Sequence, residues 1–446
     1  MSVYKNIPEV SFLKFLKHGS RILKNPLPFH ERNFERLGDT FKLKIGLGNY
    51  VIFSRDPKLA QHILQKNQKN YHKSPIQTKD LAKYVGNGLL TTNGEQWARQ
   101  RKMIQPAFHK KQLALLLDTM QTAISTEVDN ITTEKPIDVF PIFNDLAFQT
   151  VVKSLFSSEV GQQEINRLQY ITEAAQKMLV RELRQPFKVW WFRWSGQIQA
   201  HLKLTEEARE ILNKVVEKRK ASGKREDDLL DMLLDTRYDD YSEMDTRQLL
   251  DEILILFTAG HETTSNALTF TCELLARHPK EQEKIYEEVK TNAHLKNDLM
   301  AFLQASPYTA QVIEEAMRLY PPAYFIDRIS LEEDKCNGMI IPKNASILLS
   351  VYEIQRHENY WKNPLQFDPN RFSTLETKKS IAYYPFGAGP RKCIGNNFAM
   401  YEMVLAIAEV VSRFKIKPTN NSIEILPLIT LKPKNAVLKF EQRSTA

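Results

Sequence analysis

Cysteine is scarce in this chain of 446 residues, which has only Cys272, Cys336 and Cys393. Three scattered cysteines exclude a disulfide framework and a multi-cysteine zinc site, and an odd number favours a reducing compartment. Glycine is also sparse, with 15 residues, too few for the many tight turns of a β-sandwich or propeller. No stretch approaches the ~18–20 apolar residues that span a bilayer, and residues 1–25 lack the apolar core of a secretory signal. We therefore expect a cytoplasmic, mainly helical protein without a transmembrane segment.

The charge of the chain is moderately basic. Its 62 Lys and Arg against 53 Asp and Glu give a net charge of +9, spread along the sequence without a dense block. No nucleic-acid-binding motif accompanies this charge, so we expect no nucleic-acid partner. Two interpretations of the positive charge stay open. It forms a solvated basic surface, or it forms a patch that binds an acidic partner or an anionic ligand.

Helical periodicity dominates the sequence between a few short alternating segments. It predicts helices over Thr205–Lys220, Thr246–His278, Pro279–Thr291, Thr309–Leu319 and Asn397–Phe414. Alternation predicts a β-hairpin in Thr40–Pro57 around Gly46 and Gly48, and strand pairs in Met339–Tyr352 and Ile429–Phe440. The hydrophilic stretch Lys218–Asp228 is predicted to be an interhelical loop. We find no internal repeat or long linker, and therefore expect one large helical domain over residues 1–446 with small sheets.

The segment Tyr384–Glu402, YPFGAGPRKCIGNNFAMYE, carries the most specific signal. Its glycines allow positive φ angles and a close approach of the backbone to a ligand. Cys393 lies where the loop enters a predicted helix, and a helix N-terminus favours the thiolate form of cysteine. One thiolate without a second ligand nearby suits heme rather than zinc. Taken alone, the pattern also fits a buried structural cysteine in a glycine turn.

The filled positions of this loop, Phe-x-x-Gly-x-Arg-x-Cys-x-Gly, resemble the heme-binding signature of the cytochrome P450 family. Three further segments match in the family's order, so the resemblance runs from about residue 25 to the C-terminus. Within the family, the chain resembles the soluble bacterial members, which lack a membrane anchor. The resemblance implies a mainly α cytochrome P450 fold with heme b (iron protoporphyrin IX) between the long central helix and the cysteine loop. It also implies that Cys393 is the axial ligand of the iron, with Phe386 and Gly395 as cofactor-binding positions.

The first further segment is Ala259-Gly260-His261-Glu262-Thr263-Thr264, in the middle of the longest predicted helix. A threonine can return its hydroxyl to the carbonyl four residues back, here that of Ala259, and Gly260 is expected to remove bulk on the same face. The resemblance implies a groove over the heme that holds dioxygen and water, contacted by Ala259 and Gly260. It implies that Thr263 stabilises the bound oxygen and that Glu262 connects to the proton supply. Without this context, a helix-end threonine and a surface glutamate are the alternative.

The second segment pairs Glu315 with Arg318 at i,i+3, a spacing that is common on helix surfaces and is worth little there. About fifty residues later comes Phe367-Asp368-Pro369-Asn370-Arg371-Phe372. Together these positions resemble the Glu–Arg–Arg triad of the family, which implies a buried structural network before the cysteine loop.

The third segment places Trp97 and Arg101 at i,i+4, so that both can reach one ligand from one helix face. Indole and guanidinium donors suit the carboxylates of the heme propionates. By family position, Arg328 and Arg391 join this set. Many members have His-Arg where this chain has Gln355-Arg356, with a histidine, His357, one place later. We leave His357 out of the propionate set, and the role of Gln355 is open.

Two segments bear on the surroundings of the heme. The stretch Phe187–Gly196 interleaves basic residues with three tryptophans, Trp190, Trp191 and Trp194. These can pack in the core, rest on a membrane interface, or stack on a ligand such as a sugar. Tyr71–Ser74 and Gln77–Lys79 are polar for the wall of an alkane pocket, which favours an oxygenated substrate.

The leading hypothesis is a heme-thiolate monooxygenase that uses O2 and two electrons to hydroxylate or O-dealkylate (for example, O-demethylate) a small organic substrate. A lipid, a terpenoid and a methylated sugar are all compatible with the sequence. A peroxygenase driven by H2O2 and a non-catalytic heme-binding sensor are the alternatives. The intact Glu262-Thr263 pair counts against both.

The 53 residues after Cys393 are too few for a flavin or iron–sulfur module. We therefore expect a separate ferredoxin or flavodoxin with its NAD(P)H reductase as electron donor, and a monomeric enzyme. Its expected docking residues are cationic: Arg391, Lys392, Arg99, Lys102, Lys110 and Lys111.

Overall fold

The computed structural model describes residues 6–45, 49–157, 159–238 and 241–443, and it is 61% helical. The chain divides into two compact units. Unit 1 comprises Met1–Pro75, Glu314–Cys393 and Ile425–Lys432, and unit 2 comprises Ile76–Ile313, Ile394–Glu424 and Pro433–Ala446. The single domain expected from the sequence stays a prediction.

The α-helices are numbered in chain order. The first ten are α1 (Phe12–Lys24), α2 (Leu27–Leu37), α3 (Pro57–Gln61), α4 (Ala82–Val85), α5 (Gly94–Ile104), α6 (Lys110–Ala114), α7 (Leu117–Val128), α8 (Phe140–Phe156), α9 (Gln162–Arg184) and α10 (Val189–Trp194). The others are α11 (Gln197–Ser222), α12 (Leu229–Leu234), α13 (Thr246–Arg277), α14 (Pro279–Thr291), α15 (Leu299–Gln304), α16 (Pro307–Leu319), α17 (Val351–Ile354), α18 (Leu375–Lys378) and α19 (Asn396–Arg413). The five helices predicted from the sequence are confirmed to within two residues, except that α11 begins eight residues before Thr205. The long helices α8 and α9 were not among them.

The strands are short. They are β1 (Glu9–Val10), β2 (Thr40–Ile45), β3 (Asn49–Ser54), β4 (Tyr71–His72), β5 (Ile137–Asp138), β6 (Phe325–Ser330), β7 (Asp334–Cys336), β8 (Met339–Ile341), β9 (Ser346–Ser350), β10 (Phe414–Pro418), β11 (Glu424–Pro427), β12 (Leu431–Lys434) and β13 (Val437–Gln442). Unit 1 contains a six-stranded sheet in the order β1-β2-β3-β9-β6-β4, and unit 2 contains the sheet β10-β13-β5.

The central helix of unit 2 is α13, with 32 residues. It begins at a clear cap, because the side chain of Asp245 accepts a hydrogen bond from the backbone N–H of Gln248. It ends before Pro279, which disfavours helix at the preceding His278. Most of its side chains are buried, and α8 packs against it through Phe148 and Phe257, whose ring centroids lie 5.5 Å apart.

The predicted hairpin in Thr40–Pro57 is confirmed. Strands β2 and β3 pair antiparallel from Thr40 opposite Ser54 to Ile45 opposite Asn49. The predicted turn at Gly46 and Gly48 lies outside the described residues.

The two other predicted strand pairs are wrong in their pairing. Within Met339–Tyr352, β8 pairs with β7 across Asn337-Gly338, which both have positive φ, whereas β9 pairs with β3 and β6. Within Ile429–Phe440, β12 pairs with β11, and β13 pairs with β10 and β5. Alternation identifies a strand but not its partner, and the Asn-Gly turn belongs to the preceding strand.

The hydrophilic stretch Lys218–Asp228 is only partly the predicted loop, because residues 218–222 complete α11. Most of the stretch is exposed, but Arg219 and Asp228 are buried. Arg219 donates to Asp228 (2.7 and 2.9 Å), to Asp231 (2.7 Å) and to Glu159 (2.9 Å). Two of the charges that suggested a loop therefore belong to a buried ion network within unit 2.

Candidate active site

The cysteine loop of unit 1 is closed by its own backbone. Gly387 and Gly389 have φ angles of +69° and +68°, in the region that glycine adopts at little cost. The N–H of Lys392 donates to the carbonyl of Gly389 (3.0 Å), and the N–H of Cys393 donates to that of Phe386 (2.9 Å). The turn leaves Cys393 exposed, three residues before α19 begins. The loop thus presents its thiol to a ligand.

Gly389 lies directly against another backbone segment of unit 1. An ideal Cβ at this position would lie 1.9 Å from the carbonyl oxygen of Leu64. Because that atom is backbone and cannot rotate away, no side chain fits here without moving the loop. Glycine at this point of the signature is therefore a steric requirement.

The segment that carries Leu64 is itself fixed. It lies in the π-helical turn His62–Lys66. The Oδ2 atom of Asp334 is 2.7 Å from His62 Nε2 and accepts hydrogen bonds from Asn67 (2.9 Å) and from the hydroxyl of Tyr71 (2.6 Å). Although burial opposes it, these contacts lower the pKa of Asp334. The wall behind the cysteine loop is thus held by a charged carboxylate.

We expect Gly389→Ala to destabilise the protein by about 2–4 kcal/mol, since it adds overpacking to the cost of positive φ. It should also lower the heme-to-protein ratio. Gly338→Ala is the matched control, because Gly338 has φ +72° but no atom within 4 Å of its ideal Cβ. Chemical unfolding and heme content measure both effects. Equal losses in the two variants would show that the contact with Leu64 contributes nothing.

The other two cysteines are poor candidates for a thiolate. Burial raises the pKa of the Cys272 thiol, and the pKa of Cys336 is raised to about 11 by burial and by nearby Asp334. Among the described residues, no group of three or more His, Cys, Asp or Glu could hold a metal ion. The single exposed thiol of Cys393 is therefore the candidate metal ligand.

Cations gather near this loop. Burial lowers the pKa of Arg391 to about 10, and neighbouring Arg328 contributes to the shift. Burial also lowers the pKa of Arg328, and burial together with Arg391 lowers that of His72. Mutually repelling cations in a low-dielectric setting favour an anionic ligand, as the carboxylates of heme would be. The residues of unit 1 thus fit heme b: an exposed thiol and a partly buried cationic cluster.

The oxygen-activation segment of unit 2 differs from the rest of α13 in its exposure. Ala259 is exposed and Thr263 is half-buried, whereas the flanking turns of the helix are almost entirely buried. The hydroxyl of Thr263 donates to the carbonyl of Ala259 (2.7 Å), as predicted. Glu262 is buried beside it in sequence. An accessible face of small residues in a buried helix is suited to a flat ligand.

Gly260 has a packing role that the sequence did not indicate. Its ideal Cβ would lie 3.0 Å from Cγ2 of Val151, so the missing side chain lets α8 approach α13 closely. The expectation that Gly260 removes bulk on the face of Thr263 does not match this contact. Its assignment as a heme-contacting residue stays a prediction.

Helix α5 carries Trp97 and Arg101 on one half-buried face, one turn apart, whereas Gln100 on another face is buried. The Nε of Arg101 donates to the side chain of Gln105 (3.0 Å).

Gly395 is the N-cap of α19, and its carbonyl accepts from the N–H of Ala399. The predicted heme-binding residues are divided between the units. Unit 2 contains Trp97, Arg101 and Gly395, and unit 1 contains Phe386, Arg328, Arg391 and Cys393.

The predicted triad is a buried network of unit 1. Arg318 makes a two-pronged contact with Glu315 (2.6 and 2.8 Å), and both residues are fully buried. The Nε of Arg371 lies 3.4 Å from Glu315 Oε1. Arg318 also donates to the carbonyls of Gln355 and Pro364. The network therefore ties α16 to the chain that leads to the cysteine loop.

The structure resolves the role of Gln355. Its Nε2 donates to the carbonyls of Met317 (2.9 Å) and Arg318 (3.0 Å) at the end of α16, and its Oε1 accepts from the N–H of Tyr384 (2.9 Å). It joins the end of α16 to the start of the cysteine segment. The Nε2 of His357 lies 3.3 Å from the carboxylate of Asp39, and its omission from the propionate set stays a prediction.

The sequence did not identify His72 as a neighbour of the cations Arg328 and Arg391, or Leu64 as the wall behind Gly389. The position of His72 beside the buried strand residue Tyr71 was the available signal, but it was interpreted as a substrate wall. No sequence signal identifies a backbone carbonyl such as that of Leu64.

The family model described as cytochrome P450 matches residues 5–440. The chain belongs to the cytochrome P450 family. This P450 is 30% identical to cytochrome P450 4A11 of Homo sapiens over 86% of the chain and 78% of that protein. It is 28% identical to pentalenene oxygenase of Streptomyces avermitilis over 90% and 88%, respectively.

The fold agrees with solved P450 structures. The crystal structure of the cytochrome P450DA heme domain superposes with a TM-score of 0.86 at 22% identity, covering 99% of this chain and 98% of that one. The predicted mainly α P450 fold is thus confirmed, and so are the enzyme class, a monooxygenase, and its cofactor, heme b. The family also implies a redox partner and a small-molecule substrate. Within the described residues, no helix of this P450 has the length and apolar content needed to cross a membrane.

Proposed function

We propose that this P450 inserts one oxygen atom of O2 into a C–H bond of a small organic substrate, and that the thiolate of Cys393 would hold the iron of heme. Insertion next to an ether oxygen would end in O-dealkylation. The observation that carries the proposal is the hydrogen bond from Thr263 to Ala259 on the accessible face of α13, beside Glu262. When bound, heme supplies the iron that activates dioxygen.

The residues of the chain then have separate tasks. The hydroxyl of Thr263, which donates to the Ala259 carbonyl, would turn to donate its proton toward dioxygen held on the same face of α13. Glu262, which is buried, replenishes the proton. In unit 1, Arg328 and Arg391 hold the propionates, with His72 beside them. Trp97 and Arg101 of α5 are the propionate donors proposed in unit 2.

The experiment that tests this function compares oxidants. The heme-loaded enzyme is incubated with candidate substrates, with either O2 and a reduced ferredoxin or H2O2 alone. We expect product with the reduced donor, in an amount set by the electrons delivered. Equal or faster turnover with H2O2 would indicate a peroxygenase, and heme reduction without any product across the substrate panel would indicate a sensor.

The polar residues near Tyr71 do not specify the substrate. Ser74 donates to Asp327, and His72 lies beside Arg391, so both groups are used within unit 1. Two relatives from Streptomyces are named pentalenene oxygenase and cyclooctat-9-en-7-ol 5-monooxygenase. We therefore put terpenoids first in a spectral binding screen, followed by fatty acids and methylated sugars. A cytoplasmic location stays a prediction.

The electron donor is proposed to be an acidic ferredoxin or flavodoxin. Lys102 of α5 and Lys110 of α6 are exposed, and so is Lys111, whereas Arg99 stacks on the ring of Tyr238 at 4.6 Å. Charge complementarity acts mainly on the rate of association, and salt screens it beyond ~8 Å at physiological ionic strength.

We expect Lys102→Glu with Lys110→Glu to slow heme reduction by about tenfold or more at low salt, because steering accelerates association by roughly 10–10³-fold. Stopped-flow reduction at several salt concentrations measures this rate. Substrate affinity should not change. The double variant Lys415→Glu with Lys417→Glu, on exposed positions of β10, makes the same change in net charge and serves as control. Salt-independent reduction, or equal slowing in both variants, would place the donor elsewhere.

A further inference from the structure

Two neighbouring carboxylates of α13 hold the loop 86–92, which lies between α4 and α5 in unit 2. The N–H of Asn87 donates to Oδ2 of Asp251 (2.9 Å), and the N–H of Leu89 donates to Oε2 of Glu252 (2.9 Å). Both carboxylates are buried, and a buried carboxylate that loses its donor is costly. The loop is therefore bound to α13 through alternate backbone N–H groups.

The loop approaches these carboxylates closely because it has glycine at two positions. Gly86 has a φ angle of +86°, and an ideal Cβ there would overlap the carboxylate of Asp251. An ideal Cβ on Gly88 would lie 2.6 Å from both Oε2 of Glu252 and Cδ1 of Ile255. The backbone of the loop thus packs directly on α13.

Each carboxylate is also held by a second partner. The Oδ1 of Asp251 accepts from the Nε of Arg209 in α11 (2.9 Å), and the Oε1 of Glu252 accepts from the side chain of Gln248, one turn earlier (3.1 Å). The side chain of Gln100 in α5 donates to the backbone of the loop (3.2 Å). The two carboxylates are thus locked by their own neighbours, as groups that position another segment need to be.

The held loop borders the accessible face of α13. Glu252, Ile255, Ala259 and Thr263 follow one another at intervals of three or four residues, so they share one face of the helix. Glu252 and Ile255 are buried beneath the loop, whereas Ala259 is exposed and Thr263 is half-buried. The loop therefore forms a wall at the N-terminal end of the groove in which the reaction is proposed to occur.

The side chains that this wall offers are apolar. Leu89 and Leu90 are half-buried, and Leu90 packs in a cluster with Ile255 of α13 and with Phe192, the buried residue that anchors α10. The three tryptophans of α10 are exposed, so core packing does not account for them. A wall with two leucines suits the hydrocarbon part of a substrate.

We propose that Asp251 and Glu252 are positioning residues that fix this wall, and that they thereby determine how a long apolar substrate lies along α13 beside Thr263. They act through the loop and not on the reacting atoms. A wall that is already ordered binds a chain more tightly than a mobile one, because less freedom is lost on binding. The proposal rests on the proposed function for the place of the reaction, but its test needs no turnover.

The test measures spectral binding of two probes to the heme-loaded, full-length chain. Imidazole ligates the heme iron alone, whereas N-dodecylimidazole also needs room for its chain, and the parent should bind it more tightly than imidazole. We expect Glu252→Ala to weaken binding of N-dodecylimidazole about tenfold or more and to leave imidazole unchanged. Glu252→Gln should restore most of the affinity, since its amide oxygen still accepts from Leu89.

Two further measurements keep the test independent of one variant. Gly88→Ala places a methyl group against the carboxylate of Glu252, and it should cause the same selective loss. Hydrogen exchange of peptides that span the loop should become faster by about tenfold or more in Glu252→Ala, but not in Glu252→Gln.

The matched control is Glu273→Ala. Glu273 is a buried carboxylate of the same helix, paired with Arg277 (2.7 Å), and it lies roughly 30 Å along α13 from Glu252. This variant should bind both probes like the parent, and an unchanged CO-difference spectrum shows that each heme site is intact. Parental affinity of Glu252→Ala for N-dodecylimidazole, or an equal loss in Glu273→Ala, would overturn the proposal. So would a dodecyl chain that adds no affinity in the parent, whereas peroxygenase or sensor behaviour bears on the proposed function alone.

Discussion

Replacing Thr263 by alanine is expected to separate electron consumption from product formation. The variant should retain heme and bind substrate, since the hydrogen bond that it loses is the local one to the carbonyl of Ala259 within the helix. Reductant should still be consumed, but most of it should appear as H2O2, because the proton is no longer delivered at the right oxygen. A positioned proton-transfer group contributes roughly 10²–10⁴-fold to its step. The ratio of product to reductant consumed measures the loss.

Two variants make this result specific. Thr258→Ala removes an equivalent hydrogen bond, from the hydroxyl of Thr258 to the carbonyl of Leu254 (2.9 Å), at another position of α13. It should leave coupling near the parental value. Thr263→Ser should restore much of the coupling that Thr263→Ala loses. If Thr263→Ala couples as well as the parent, Thr263 has no role in proton delivery.

Removal of Arg318 is expected to have the largest effect on stability. Arg318→Ala leaves the carboxylate of Glu315 buried with Arg371 as its remaining cation, and it frees the carbonyls of Gln355 and Pro364. Breaking a buried ion network in this way typically costs ~3–5 kcal/mol. Chemical unfolding measures the change, and heme content should fall with it because the network leads to the cysteine loop.

An exposed ion pair serves as the comparison. Lys343 contacts Glu332 at 2.9 Å, and both side chains are more than half exposed. Lys343→Ala should therefore cost less than ~1 kcal/mol. Equal losses in the two variants would mean that the triad is no more than a surface contact.

The sequence predicted the helices well and the sheets poorly, for a physical reason. A helix such as α13 is specified by local spacing, by its cap at Asp245 and by the following Pro279. The partner of a strand can lie far away in the chain. Strand β9 begins at Ser346 and pairs with β3, which ends at Ser54, as well as with the nearer β6, and the alternation of β9 does not identify either partner.

The residues of the candidate site also divide into those that local spacing identifies and those that only the fold identifies. Motif residues such as Cys393 and Thr263 were found because their spacing is fixed along the chain. Gln355 and His72 were not assigned, because their roles depend on Tyr384 and Arg391, which folding brings to them. The tryptophans of α10 were ambiguous, since an apolar residue next to lysine can face either way until the anchor Phe192 is known.

The central claim, that Cys393 is the thiolate ligand of heme, is tested most directly by the CO-difference spectrum of the reduced protein. The spectrum is recorded for the parent and for Cys272→Ser, Cys336→Ser and Cys393→His. We expect the strongly red-shifted Soret band of thiolate ligation in the parent and in the first two variants, whose thiols are buried. In Cys393→His the band should move to the position of histidine-ligated heme. A full-strength thiolate band in Cys393→His, lost instead in Cys272→Ser or Cys336→Ser, would contradict the assignment.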